Sequence, residues 1–206
     1  MIRIGAISAP LDRPALLGPA IDLVRRALAT GLLAERPDIE RLDLALVRDI
    51  AEEASAAGVG RDAAVGILGR PRSPERLAGF IGRLAEALVA SPLPDRELRV
   101  LASVFDLDDL GRLTGTSTVS LRRYLARSRT VPDALAARVH WLALVTGDLL
   151  GAYSEIGARR WFERPRSALD GRAPATILRG AWDPDDPEVE AVRALAAALA
   201  GVGGAT

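Results

Sequence analysis

Residues 111–129 have the sequence GRLTGTSTVSLRRYLARSR, which predicts the turn and second helix of a helix-turn-helix. Gly111 is small where two helices would cross closely, and Gly115 falls where a tight turn needs a positive φ. Leu121 and Tyr124 share one face of the second helix, so we expect them to pack back onto the first helix.

The outward face of that second helix carries the residues expected to contact DNA. A recognition helix enters the major groove, and nearby basic side chains neutralise phosphates. Five arginines and no acidic residue lie between Leu110 and Pro132. Ser117 is also placed to cap the helix with its hydroxyl. The predicted DNA-binding residues are Ser117, Thr118, Val119, Arg122, Arg123, Arg127 and Arg129.

The composition favours helices packed on helices, and hence an all-α fold. Of the 206 residues 49% are hydrophobic but only 4% are aromatic, and Ala and Leu dominate. The formal net charge is zero, so affinity for nucleic acid must come from a local patch of basic residues.

The residues needed for catalysis or metal binding are scarce. The chain has no Cys, which excludes disulfides and thiolate chemistry, and its one histidine, His140, lacks any nucleophile signature around it. The acidic residues at 106, 108 and 109 are explained by their place at a helix start. We therefore predict no catalytic residue, no metal site and no cofactor, and a protein that is not an enzyme. With no apolar run of membrane-spanning length and no convincing signal peptide, we expect a cytoplasmic protein.

Composition and turn signals divide the chain into three predicted domains. An N-terminal helical bundle covers residues 1–90, the helix-turn-helix domain covers 91–153 and a small helical domain covers 154–206. An apolar run within residues 1–13 is either an extended arm or a disordered end. The helices predicted in the bundle run from about 19 to 33, from 37 to 57, from 62 to 68, and from a cap at Ser73 to about 90.

Residues 160–178, RWFERPRSALDGRAPATIL, combine aromatic residues with closely spaced Pro and Gly. This pattern predicts a helix ending on two aromatic residues, a chain reversal at Gly171 and a new helix opened by Pro174. Together with the preceding helix-turn-helix, it resembles the antitoxin domain of the Xre/MbcA/ParS-type antitoxins. The residues that carry the resemblance are Trp161, Phe162, Pro165, Leu169, Gly171, Pro174 and Leu178.

The resemblance implies a DNA-binding antitoxin with an Xre-like helix-turn-helix. Such a protein would neutralise a RES-domain toxin, which consumes NAD, by blocking its cleft with these seven C-terminal residues. It would also repress its own operon as a homodimer on operator DNA. Two alternatives stay open: a stand-alone helix-turn-helix regulator whose C-terminal domain dimerises or binds another protein, and a helical scaffold with a vestigial helix-turn-helix.

Overall fold

The computed structural model of the protein describes residues 2–33, 38–69, 71 and 73–202. These residues form eleven α-helices, one 3-10 turn and two short β-strands, so the protein is mostly helical, as its composition predicts. The chain divides into two compact units: an N-terminal unit at residues 2–92 and a C-terminal unit that begins at Leu93. None of the described helices combines the length and the apolar character needed to cross a membrane.

The N-terminal unit packs four helices beside a two-stranded parallel sheet. Helix α1 packs against α4, and both helices carry fully buried side chains, such as Leu23 and Leu84. The elements of this unit are β1 (Arg3–Ile7), α1 (Pro14–Ala29), β2 (Asp38–Leu42), α2 (Leu44–Ala56), α3 (Arg61–Leu68) and α4 (Pro74–Ala90).

The second predicted helix is wrong over its first part, because residues 38–42 form strand β2. Its predicted start at Pro37 lies outside the described residues. Asp43 caps α2 by accepting the N–H of Leu46 at 3.0 Å, so the helix begins only after this residue. The spacing of Leu42 and Leu46 resembles one helical turn, but Leu42 is a strand partner of β1.

The other boundaries in this unit follow local signals. The first helix begins at Pro14, earlier than predicted, because a proline at the first helical position needs no backbone donor. Ser73 caps α4 as predicted, since its hydroxyl accepts the N–H of Arg76 at 3.3 Å. Of the two alternatives for residues 1–13, the extended one holds for residues 3–7, which form β1.

The C-terminal unit is built around one long helix, α8. Every residue of α8 from Val139 to Leu149 is buried, as expected for a helix with neighbours on all sides. Helices α5, α6, α9 and α11 contact it. The elements of this unit are α5 (Pro94–Val104), α6 (Leu107–Thr114), α7 (Thr118–Leu125), α8 (Asp133–Ala152), α9 (Glu155–Glu163), a 3-10 turn (Ser167–Leu169), α10 (Pro174–Ile177) and α11 (Pro187–Val202).

A single hydrophobic core holds this unit together. It runs from Leu98 on α5 to Ala196 on α11 and includes side chains from α6, α7, α8 and α9. The segments predicted as separate domains, 91–153 and 154–206, both contribute to it, so the boundary predicted between them lies inside one compact unit.

Candidate nucleic-acid interface

Helices α6 and α7 are joined by a tight turn at Gly115. This residue has a φ of +67°, and its N–H donates to the carbonyl of Gly111, which ends α6. Ser117 then caps α7, because its hydroxyl accepts the N–H of Ser120 at 3.2 Å. The glycine turn and the serine cap that the sequence predicts are both present.

Two glycines allow close approaches that a side chain would block. A Cβ at Gly111 would lie 2.8 Å from the carbonyl oxygen of Thr116, within the turn itself. A Cβ at Gly115 would lie 2.1 Å from the carbonyl oxygen of Gly180, which belongs to the segment between α10 and α11. Glycine at 115 is therefore required both by the backbone angle and by the neighbouring chain.

Distant side chains satisfy the last carbonyl groups of α6. The indole Nε1–H of Trp182 donates to the carbonyl of Leu113 at 2.8 Å, and Nη1 of Arg138 donates to the carbonyl of Thr114 at 2.7 Å. Trp182 is itself buried, with its ring edge-to-face against Trp141 at 5.0 Å between centroids. Because helix ends leave carbonyls without intrahelical partners, these two bonds fix the end of α6 and hence the turn into α7.

The two faces of α7 differ sharply. Leu121 and Tyr124 are buried in the core, as predicted. On the other face Val119 is 54% exposed, and Arg122 and Arg123 are exposed. Helix α7 therefore presents an apolar side chain and two guanidinium groups to solvent, while its opposite face packs in the core.

The chain leaves α7 through a left-handed residue that is not glycine. Arg127 has a φ of +53°; its N–H donates to the carbonyl of Tyr124, and the N–H of Ser128 donates to that of Arg123. This is the Schellman arrangement, in which glycine is the usual residue at this position. An arginine here costs about 1–2 kcal/mol relative to glycine, and its side chain is exposed. The next basic residue, Arg129, lies with its guanidinium 5.8 Å from the ring centroid of Tyr124.

Five arginines lie between Leu110 and Pro132, and within the described residues four of them form no ion pair with a carboxylate. The fifth, Arg112, pairs with Asp109, whose hydrogen bond and negative charge raise the pKa of Arg112. No ion pair in the described part of the chain involves the other four. These four, which form what we call the arginine patch, are Arg122, Arg123, Arg127 and Arg129.

Most of the predicted toxin-binding residues lie inside the core. The ring of Phe162 packs edge-to-face on Phe105 and on Trp161, at 5.6 and 5.3 Å between centroids. Gly171 has a φ of +77° and reverses the chain, as predicted. Of the seven predicted residues, Pro165 and Gly171 are exposed. The buried ones are Trp161, Phe162, Leu169, Pro174 and Leu178.

An open groove of about 240 Å³ lies between α6 and α9, next to this buried motif. Its lining includes Leu113 and Phe162 at its base and Arg159 and Glu163 on α9. Ile156, which is 55% exposed, stands at its side. Phe162 of the motif thus lines a groove that is open to solvent, and the sequence analysis did not identify this groove.

Sequence reasoning also missed a buried polar pair on α5 and α8. Nδ1 of His140 lies 2.6 Å from Oε1 of Glu97, and Glu97 is completely buried. The signal was present, because Glu97 precedes Leu101 and Val104 by four and seven positions, the spacing of the inward stripe of a helix. The described residues contain no group of three or more His, Cys, Asp or Glu side chains arranged to hold a metal ion.

Comparisons with protein-family models, with characterised proteins and with solved structures find no match to this chain.

Proposed function

We propose that this protein is a transcriptional regulator that binds double-stranded DNA through α6 and α7, which act as a helix-turn-helix with α7 as recognition helix. The observation that carries the proposal is the arginine patch. Its four cations have no carboxylate partner among the described residues. They lie on the exposed face of α7 and just after this helix, whose other face is held in the core. In a chain of zero net charge, such a local concentration of cations is unusual and is suited to a polyanion.

Val119 and the four arginines of the patch each have a role in this proposal. Arg122 or Arg123 would make a bidentate contact to the O6 and N7 atoms of guanine, and Val119 would contact a thymine methyl group. Arg127 and Arg129, at the end of α7, would neutralise phosphates. The positive φ of Arg127 supports this role. This backbone conformation suits glycine, and the exposed arginine side chain gains nothing from packing that would offset its cost, so a contact with phosphate would account for an arginine here.

One recognition helix makes few base contacts, so the proposal includes a homodimer on a two-fold operator. Half-sites would then lie about 34 Å, one turn of DNA, apart. Selection of bound duplexes from a random-sequence library would yield an operator with this repeat.

The test compares two double variants with the same change in charge. Arg122→Ala with Arg123→Ala should weaken binding to the selected duplex by about 30-fold or more, since two lost base or phosphate contacts at roughly 1–3 kcal/mol each sum to at least ~2 kcal/mol. The control, Arg164→Ala with Arg179→Ala, removes two exposed arginines outside the patch and should bind like the wild type. Equal loss in both variants, or loss in neither, would refute the proposal.

The resemblance to Xre/MbcA/ParS-type antitoxins extends the proposal: the same protein would neutralise a RES-domain toxin and repress its operon. The buried side chains of the motif would then shape the surface that the toxin meets. The exposed parts of that surface are Pro165, Gly171 and the groove beside Ile156.

Co-expression with a RES-domain protein encoded beside this chain tests the extension. We expect the two proteins to co-purify and the toxicity to be suppressed, and we expect Ile156→Glu to weaken the complex. The burial of five of the seven motif residues favours the second candidate, a regulator without a toxin partner. That candidate stands if no complex forms while operator binding persists.

A further inference from the structure

Strand β1 is exposed and largely apolar, and among the described residues it pairs with β2 alone, which is unusual for a strand at the edge of a sheet. Strand β1 has the sequence RIGAI, and four of its five residues are exposed, including Ile7 at 42%. Its one charged residue is Arg3. Native proteins protect edge strands with charges, prolines, bulges or a covering element, because unpaired backbone groups recruit other strands.

Strand β2 differs from β1 in this respect. Its exposed residues are the charged Glu40 and Arg41, while Ile39 and Leu42 are buried. Within the described residues the sheet has only these two strands, and they run parallel. Parallel pairs on their own are rare, since parallel sheets are normally larger and covered on both faces.

We infer that β1 is the dimerisation edge of the protein: β1 of one copy pairs antiparallel with β1 of a second copy. The result is a four-stranded sheet in the order β2, β1, β1 and β2. This deepens the proposed function and rests on it, because DNA binding by a single recognition helix calls for two copies of the chain.

The charges along β1 suit pairing with itself. When Gly5 lies opposite the same residue of the second copy, all five residues overlap and each Arg3 lies opposite an Ile7. The two Arg3 side chains then sit at opposite ends of the pair, so no like charges face each other. Antiparallel pairing of identical strands is two-fold symmetric and uses both free β1 edges at once. The outer β2 edges carry Glu40 and Arg41, so assembly stops at two copies.

The proposed register can be tested by replacing the exposed Ile7 with a positively or a negatively charged residue. Sedimentation equilibrium of the full chain should give twice the monomer mass of 21.8 kDa. Ile7→Lys would place a positive charge opposite each Arg3 and should weaken the dimer, whereas Ile7→Glu would place a negative one there. Two cross-strand pairs change sign between these variants, so the dimer Kd should differ by about tenfold, with Ile7→Glu tighter. A monomeric wild type, or equal Kd values for the two variants, would overturn the inference.

A cross-linking experiment keeps the test decisive if either variant folds poorly. The chain has no cysteine, so Ala6→Cys introduces a single thiol on the exposed strand. In the proposed register the two thiols lie diagonally across the pair, roughly 7 Å apart, within reach of a short bismaleimide. The control, Ala56→Cys, places the thiol at an exposed position on α2 and should give no linked dimer. No linkage at position 6, or equal linkage at both, would contradict the inference.

The same variants separate this inference from the proposed function. A dimer that forms through β1 but binds no duplex DNA would refute the function alone. A chain that binds DNA but is not linked through β1 would refute the inference alone.

Discussion

Replacing Gly115 with alanine should destabilise the C-terminal unit far more than the same change at Gly171. Both residues have positive φ angles, +67° and +77°, so alanine costs about 1–2 kcal/mol at either position. At Gly171 a new Cβ meets nothing within 4 Å, so this backbone cost is the whole effect.

At Gly115 the new Cβ would lie 2.1 Å from the carbonyl oxygen of Gly180 and 2.9 Å from Nη1 of Arg138. The backbone at Gly180 must then move, which costs about 1–3 kcal/mol as overpacking. That movement also strains the hydrogen bonds that Arg138 and Trp182 donate to the end of α6, each worth about 1 kcal/mol. We therefore expect a loss of about 3–6 kcal/mol for Gly115→Ala.

Urea unfolding followed by tryptophan fluorescence measures this difference directly. All three tryptophans, at 141, 161 and 182, belong to the C-terminal unit, so the signal reports on that unit. The free energy of unfolding should fall at least 2 kcal/mol further for Gly115→Ala than for Gly171→Ala. Losses that agree within about 0.5 kcal/mol, the usual error of additivity, would refute the close packing of the turn against Gly180.

Three further predictions concern single side chains. Arg127→Gly should stabilise the protein to urea by a net ~0.5–1 kcal/mol, because the relief of the left-handed backbone is partly offset by the extra backbone entropy that glycine loses on folding, and it should lower the salt slope of DNA binding by about one. The hydrogen bond from Arg172 lowers the pKa of Glu188. The small contribution of this pair to stability is therefore present when the pH is above the ordinary pKa of glutamate and is lost as the pH falls. NMR titration should show the pKa of Glu188 rising in Arg172→Gln. His140→Leu alone should cost about 1–3 kcal/mol because it leaves the buried Glu97 without that hydrogen-bond partner, whereas combining it with Glu97→Leu should cost clearly less in the same urea assay.

The α6–α7 region was predictable because its signals are local. The cap at Ser117, the turn at Gly115 and the buried pair Leu121 and Tyr124 all lie within ten residues. By contrast, β1 pairs with a strand 35 positions further along, as in Arg3 with Asp38, and no local pattern announces such a partner. For the same reason the local pattern predicts a helix where β2 forms.

The candidate site was predictable only in part, for the same physical reason. The exposed arginines follow from helix periodicity, but the bonds from Arg138 and Trp182 to the end of α6 span 24 and 69 residues. Periodicity also identified the apolar motif from Trp161 to Leu178 without showing whether it faces the core or a partner. Burial depends on how α9, α10 and α11 pack together, which the motif itself does not determine.

Photo-cross-linking from α7 tests most directly the claim that this helix meets DNA. A photoreactive residue in place of Val119, which is 54% exposed on α7, is compared with one in place of Ile156, which is 55% exposed on α9. With a duplex selected from the random library, we predict cross-links to DNA from position 119 and none from position 156. Cross-links from position 156 alone, or from neither position while the protein stays bound, would contradict the assignment of α7 as the recognition helix. Failure to select any duplex would contradict DNA binding itself.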